Sequence, residues 1–419
     1  MTNFARCHMQ HEHPAVRSLL DVDFYKFTMG QMIWKEFRGT EVTFSLINRS
    51  RSIKLARAID IDELDRQLRH VQTLMLRKPD IDWLQDIDVY GVNMFSSDYL
   101  AFLRTMQLGD YTLTTTDDEQ IELTFTGPWE VVTFWETIAI AIVNELYYRA
   151  QLRRAPKQVL DEVYARAKVK LFEKLRVLKE HPDIRFADFG TRRRHSFLWQ
   201  QWVVGMCKEM LGQQFTGTSN TWMAFNQDLV PIGTNAHELP MVLTALADTP
   251  EEMRTAQYDV LRVWQESYGD GLRICLPDTF GTKQFLESAP DWLAHRWRGF
   301  RQDSGDPYEV GEIIVDWYRA NGVDPQEKLI IFSDGLSLPN DVIDLHKHFA
   351  DRIQVAFGVG TNLTNDFASQ SDLQLAPLSL VAKATAVEGR PTVKLPDDAN
   401  KATGPDDIVK KYRRVFGTN

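Results

Sequence analysis

Cysteine is scarce in this chain of 419 residues: Cys7, Cys207 and Cys275 are the only three. Odd in number and widely spaced, they offer neither a disulfide framework nor a Cys-x-x-Cys metal site, and they fit a reducing compartment. Positive charge is also in short supply. With 48 Lys and Arg against 58 Asp and Glu, the net charge of -10 argues against nucleic acid as a partner, so any phosphate site must be local. No apolar run reaches the roughly 20 clean residues of a membrane span. The nearest approach, Pro128 to Tyr148, is interrupted by Glu130, Glu136, Asn144 and Glu145 and reads as a buried strand and helix. The opening stretch MTNFARCHMQHEHP lacks the basic start and apolar stretch of a secretory signal, so a cytoplasmic location is expected. Tandem repeats and low-complexity segments are absent, as is a GxxxxGK[ST] loop, and FGVGTN lacks the third glycine of a dinucleotide fingerprint. A nucleotide, if one is used, binds in another way.

What remains is the composition of a globular enzyme, 43% hydrophobic and 25% charged, long enough for two or three domains at about 150 residues each. Up to about residue 150 the pattern is mixed. DFYKFTMGQMIWKEF reads as a helix, VTFSLIN as a strand, ARAIDIDELDRQLRHVQTL as charged helix, and YTLTTT and IELTFTG as strands. We read residues 1–150 as an α+β domain, open to completion by C-terminal segments. A charged helical stretch leads from it to Pro182, and the boundary falls loosely between Tyr148 and Pro182.

Residues 151–419 change rhythm. Eight short apolar runs recur, most followed by helical stretches: IRFADFG, FTGTSN, PIGTNAH, LRICLPDTFG, RGFRQDSGD, KLIIFSDG, IQVAFGVGT and LSLVAKAT. Alternating strands and helices predict a parallel sheet with right-handed crossovers, and eight units predict an irregular (β/α)8-like barrel, the gap between the second and third runs being too short for a normal helix. Polar residues gather at the ends of the runs, where a barrel carries its chemistry.

Those ends supply the candidates. Gly358, Gly360 and Thr361 in one run and Ser333, Asp334 and Gly335 in the run before it could bring backbone N–H groups and hydroxyls to a phosphate; singly, each is equally a βα turn. Asp303 and Asp306 could orient ribose hydroxyls or hold Mg2+ through water, with Arg301 pairing an anion, although Asp306 before Pro307 also suits a helix cap. Arg192, Arg193 and Arg194 sit where a helix is expected to start, where cations oppose its dipole unless an anion or acidic partner is near. His237 could be a base, a metal ligand or a nucleophile accepting a phosphoryl group. His8, His11 and His13 are a weak metal candidate near the N-terminus.

Taken together and in order, DFYKFTMGQ, FADFGTRRR, FTGTSN, GTNAHELPM, DTFGT, FRQDSGDP, SDG and GVGT resemble nicotinate phosphoribosyltransferases over nearly the whole chain. The resemblance implies the type II phosphoribosyltransferase fold, an irregular α/β barrel joined to an N-terminal α+β domain, in a homodimer. It implies nicotinate, phosphoribosyl pyrophosphate and ATP as substrates, with Mg2+. It makes Tyr25 the aromatic wall of the nicotinate site, supplied from its own chain or across the dimer, and Thr234 and Arg301 nicotinate contacts. It also makes His237 a phosphohistidine and places Thr361 and its glycines on the phosphoribosyl group, with either Arg192 or Arg193 facing phosphate. The VAKATAVEGRPTVKLPDD stretch resembles a family hairpin with Lys383 and Lys394, but carries Pro396 where serine is expected. A nicotinamide or quinolinate phosphoribosyltransferase is the nearest rival. A phosphate-binding barrel lyase is a further one, for which Lys383 is the only base at a run's end.

Overall fold

The computed structural model describes residues 13–88, 93–368, 373 and 375–418. His8, His11 and Cys7 lie outside them. Strands form where β-branched and aromatic residues recur: β1 (Glu41–Asn48), β2 (Tyr111–Thr115), β3 (Ile121–Pro128), β4 (Phe186–Asp188), β5 (Phe215–Thr218), β6 (Ile274–Cys275), β7 (Gly299–Gln302), β8 (Leu329–Phe332), β9 (Gln354–Val359), β10 (Leu380–Val387) and β11 (Arg390–Pro391). They make two sheets. One is antiparallel, ordered β11-β10-β1-β3-β2; the other is parallel, ordered β5-β4-β9-β8-β7-β6.

Six of the eight expected barrel runs pair in the parallel sheet. The third, PIGTNAH, is no strand: a single bridge joins Pro231 to Thr218, and the Asn235 side-chain amide donates to the carbonyl of Ile274 at 3.1 Å. It therefore spans the opening between β5 and β6 and closes the barrel with an irregular segment. The eighth run lies in the other sheet. As β10 it runs antiparallel to β1, with Phe44 opposite Ala384 and Leu46 opposite Ala382. The Pro128 to Tyr148 segment is also corrected. Only Pro128 is in a strand, and helices Trp129–Val132 and Trp135–Arg153 follow.

Helix Trp135–Arg153 is buried on nearly every side, as a helix apolar all round must be. Several of its polar residues are paired. Glu145 binds Arg149 at 2.7 Å and accepts from the Phe197 backbone at 2.8 Å, while the Asn144 amide donates to the Arg192 carbonyl at 2.7 Å. A second, smaller core forms where the amphipathic C-terminal helix Asp406–Phe416 docks: Phe416 stacks on Phe280 with ring centres 4.3 Å apart, beside Tyr412, Val393 and Leu395. No helix among the described residues is long and apolar enough to cross a membrane.

Candidate active site

The C-terminal ends of β6, β7 and β8 converge on His237, the residue that precedes helix Glu238–Leu246. Its Nε2 lies 3.1 Å from Asp303 Oδ2 and 3.4 Å from Asp278 Oδ1, and its Nδ1 lies 3.0 Å from Thr279 Oγ1. The ring is 3% exposed. Burial pulls its pKa down to about 4, more strongly than Asp278 and Asp303 pull it up, and Lys394 adds to the lowering. The imidazole is therefore neutral at ordinary pH. Burial alone would raise Asp303, yet Arg301 and His237 hold it well below the usual carboxylate range, and His237 and Lys394 lower Asp278 against the same effect of burial. Asp278 also accepts from Ser304 Oγ at 2.6 Å and faces Lys394 Nζ at 3.5 Å, and Asp303 accepts from Ser333 Oγ at 3.1 Å. His237, Asp278 and Asp303 bring three potential metal-ligand atoms within 4.8 Å of one another. Arg301 approaches Asp303 no closer than 3.9 Å, and its buried Nε has no hydrogen-bond acceptor among the described residues. Nε itself is sealed off, but the side chain is 11% exposed, and a guanidinium edge can pair with an anion there.

The arginine turn departs from expectation. Thr191 to Arg193 form a turn, and the helix starts later, at Phe197 with Ser196 as its cap. The helix-dipole argument therefore lapses, and local carboxylates account for two of the three cations. Arg194 is fully buried against Asp21 at 2.6 Å. Arg192 meets Asp23 at 3.0 Å and Glu136 at 3.1 Å, with its side chain still one-third exposed at 33%. Arg193 donates to the Leu380 carbonyl at 2.8 Å, and burial beside Arg192 lowers its pKa to about 10. The Arg192 guanidinium lies 5.5 Å from the centre of the Tyr25 ring, whose hydroxyl donates to Glu136 Oε2 at 3.2 Å. Tyr25 is 4% exposed within its own chain. Thr234 joins this wall through its carbonyl, which accepts from Thr28 Oγ1 at 2.6 Å. The neighbouring Gly233 is required there, because a Cβ on it would come within 2.9 Å of the Tyr25 backbone nitrogen.

The two glycine turns differ. Gly360 and Thr361 open the short helix Thr361–Thr364 directly after β9, next to Arg193. Gly358 serves packing, since a Cβ there would meet the Phe189 ring at 2.3 Å. Gly335 adopts the left-handed conformation at φ 64°, with open space around it. Asp334 is held by Lys401 at 2.7 Å. Asp306 is exposed and caps helix Pro307–Ala320, its Oδ1 accepting from the backbones of Tyr308 and Glu309 at 2.9 and 3.0 Å. The cap occupies Oδ1 alone, so Asp306 has a structural role whether or not Oδ2 meets a metal through water.

Sequence reasoning overlooked Asp278, Thr279, Glu136 and Lys26. Asp278 and Thr279 follow β6 as Asp303 follows β7, so their position beyond a strand end was the available signal. Glu136 and Lys26 lie inside helices and gave none. Lys26, fully buried, meets Glu136 and Glu238 at 2.6 Å each. Lys383 faces the same group, and burial lowers its pKa to about 8.

A deep wall of paired charge, a neutral histidine between two carboxylates and an arginine with a partly exposed edge suit an anionic substrate and phosphoryl or ribosyl transfer more than proton abstraction. Known proteins agree. The nicotinate phosphoribosyltransferase family model matches residues 184–419, and the model of that family's N-terminal domain matches residues 20–144. A crystal structure of nicotinate phosphoribosyltransferase from Vibrio cholerae is 31% identical, with a TM-score of 0.87 over 98% of this chain and 96% of that one. One from Porphyromonas gingivalis is 29% identical, with a TM-score of 0.85 over 96% of this chain and 100% of that one.

Proposed function

The chain belongs to the nicotinate phosphoribosyltransferase family, and on that premise we propose that it joins nicotinate to the ribose phosphate of phosphoribosyl pyrophosphate, in NAD salvage, with ATP hydrolysis coupled through His237. The observation that carries this reading is the convergence of His237 with Asp303 and Arg301 at the end of β7. In the transfer, the bond from ribose C1 to pyrophosphate breaks with its electron pair leaving on pyrophosphate, and the ring nitrogen of nicotinate forms the new bond to C1. The reacting centre gains positive charge as pyrophosphate departs, and the Asp278 and Asp303 carboxylates are the fixed negative charges beside it. The partly exposed Arg301 guanidinium would pair with the nicotinate carboxylate, which nicotinamide lacks. Tyr25 and Arg192 flank the ring. Mg2+ when bound would neutralise pyrophosphate charge. Asp278 and Asp303 are oxygen donors suited to it, and the buried Asp278 Oδ1 has no hydrogen bond of its own.

His237 suits the ATP step because the carboxylates fix its tautomer. Facing two anions, Nε2 carries the proton, which leaves the lone pair on Nδ1 with the Thr279 hydroxyl donating to it. Once the Thr279 hydroxyl turns away, that Nδ1 lone pair attacks the γ-phosphorus, ADP leaves with the electrons of the broken P–O bond, and water later attacks the phosphoryl group, releasing phosphate and restoring the imidazole. Assembly as a homodimer belongs to the same reading and rests on the family alone.

The test is mononucleotide formation from nicotinate or nicotinamide with phosphoribosyl pyrophosphate and Mg2+, with and without ATP, in wild type, His237→Ala and Arg301→Lys. We expect nicotinate to be used, ATP to accelerate it, His237→Ala to lose that acceleration, and Arg301→Lys to raise KM for nicotinate about tenfold or more. Product from neither ring would overturn the reading.

A further inference from the structure

A chain of ion pairs runs inward from Arg192, itself one-third exposed, to Glu238, the neighbour of His237 in sequence. From Arg192, Glu136 Oε1 is 3.1 Å away; Glu136 Oε2 binds Lys26 Nζ at 2.6 Å; and Lys26 Nζ binds Glu238 Oε2 at 2.6 Å. Glu238 follows His237 directly and is the first residue of its helix. Lys26 is fully buried and also donates to Thr133 at 3.0 Å, while the other oxygen of Glu238 accepts from Trp129 Nε1 at 2.6 Å. Three helices, Tyr25–Glu36, Trp135–Arg153 and Glu238–Leu246, are thus tied at one ammonium.

Stability alone does not call for such a group. A fully buried lysine is rare, and well-packed apolar side chains often replace buried ion pairs with no loss. The arrangement also has a direction. Glu136 Oε2 holds Lys26 and the Tyr25 hydroxyl together, while Oε1 holds Arg192, so Tyr25 and Arg192 share one carboxylate with Lys26. A ligand that draws Arg192 or Tyr25 away leaves Glu136 to attract Lys26 more strongly, at the expense of Glu238, and in a water-poor interior such a redistribution is felt over the whole network. We infer that Lys26 is a positioning residue that links occupancy of the Arg192–Tyr25 wall to the placement of His237, so that phosphohistidine is hydrolysed as product forms and not idly. This rests on the ATP-coupled reading given above.

The experiment counts ATP hydrolysed per mononucleotide formed, in wild type, Lys26→Met and Glu238→Gln, with thermal melting to confirm that each is folded. Wild type should consume about one ATP per product, and each folded variant at least about five, the lower end of typical coupling between sites. Glu238→Gln keeps its size and an acceptor for Trp129, so it decides the matter alone if Lys26→Met fails to fold. A folded variant in which ATP hydrolysis and transfer fall together, with the ratio unchanged, shows a merely structural role and overturns the inference. Product formation by wild type with no ATP consumed would instead bring down the coupled reading, and the inference with it.

Discussion

Acidification is the sharpest probe of His237, because an ordinary histidine and this one behave differently between pH 5 and 7. Burial lowers its pKa from the ordinary 6.5 to about 4, against the pull of Asp278 and Asp303. At about 1.4 kcal/mol per tenfold, this favours the neutral ring by roughly 3 kcal/mol. At pH 5.5 a histidine titrating at 6.5 would be about one-tenth neutral, whereas this one stays almost wholly neutral, a difference of about tenfold in nucleophile. The initial rate of phosphoenzyme formation from γ-labelled ATP should therefore hold steady from pH 8 to 5.5. An acid limb with its midpoint near 6.5 in that rate would refute the reasoning. Stability carries the same sign. The unfolded chain takes up a proton near 6.5 that the folded chain refuses until about 4, so the group's contribution is complete above 6.5 and is lost as pH falls through that window, by up to roughly 3 kcal/mol. Denaturant titrations of wild type and His237→Ala at pH 7 and 5 measure it as the part of the pH dependence that the variant lacks.

Two substitutions separate packing from chemistry. Gly358→Ala would push a methyl group into the Phe189 ring, 2.3 Å from its Cδ2 and Cε2, and should lower stability by about 1–3 kcal/mol, read as a drop in the urea midpoint. Asp306→Ala should cost about 0.5–2 kcal/mol through its lost helix cap, while the Mg2+ dependence of turnover stays as in wild type.

The strand-end logic placed Asp303, Ser333 and Thr361 after β7, β8 and β9 because parallel strands deliver their following residues to one face, whereas His237 reaches that face from the irregular segment. It failed for the eighth run for a reason visible afterwards. Buried parallel strands read as continuous apolar runs, as LIIF does in β8, whereas LVAKATAV sets Lys383 and Thr385 among apolar residues, the alternation of an antiparallel strand with one polar face. PIGTNAH looked like a strand because Pro231 and Ile232 begin it, but Gly233 and Asn235 are there to close a gap between strands. The buried charges were the least legible. Glu136 served only to rule out a membrane span, since a carboxylate in an apolar helix announces its burial but not its partner, and Lys26 lies more than 100 residues away.

The pairing of β10 with β1 ties residues 380–387 to residues 42–48. A ribosome adding about 5–20 residues per second needs tens of seconds to deliver the second partner after the first. Through that interval β1 can pair with β3 on one side only, and its other edge is an open template for any extended segment nearby. Completion of the antiparallel sheet is thus deferred until the parallel one has been synthesised in full, and the contact that finishes it is among the most distant in the chain, which makes it a slow step on topological grounds. A fragment ending near residue 150 would keep that raw edge permanently, and should be recovered as aggregate even though it contains three of the sheet's five strands.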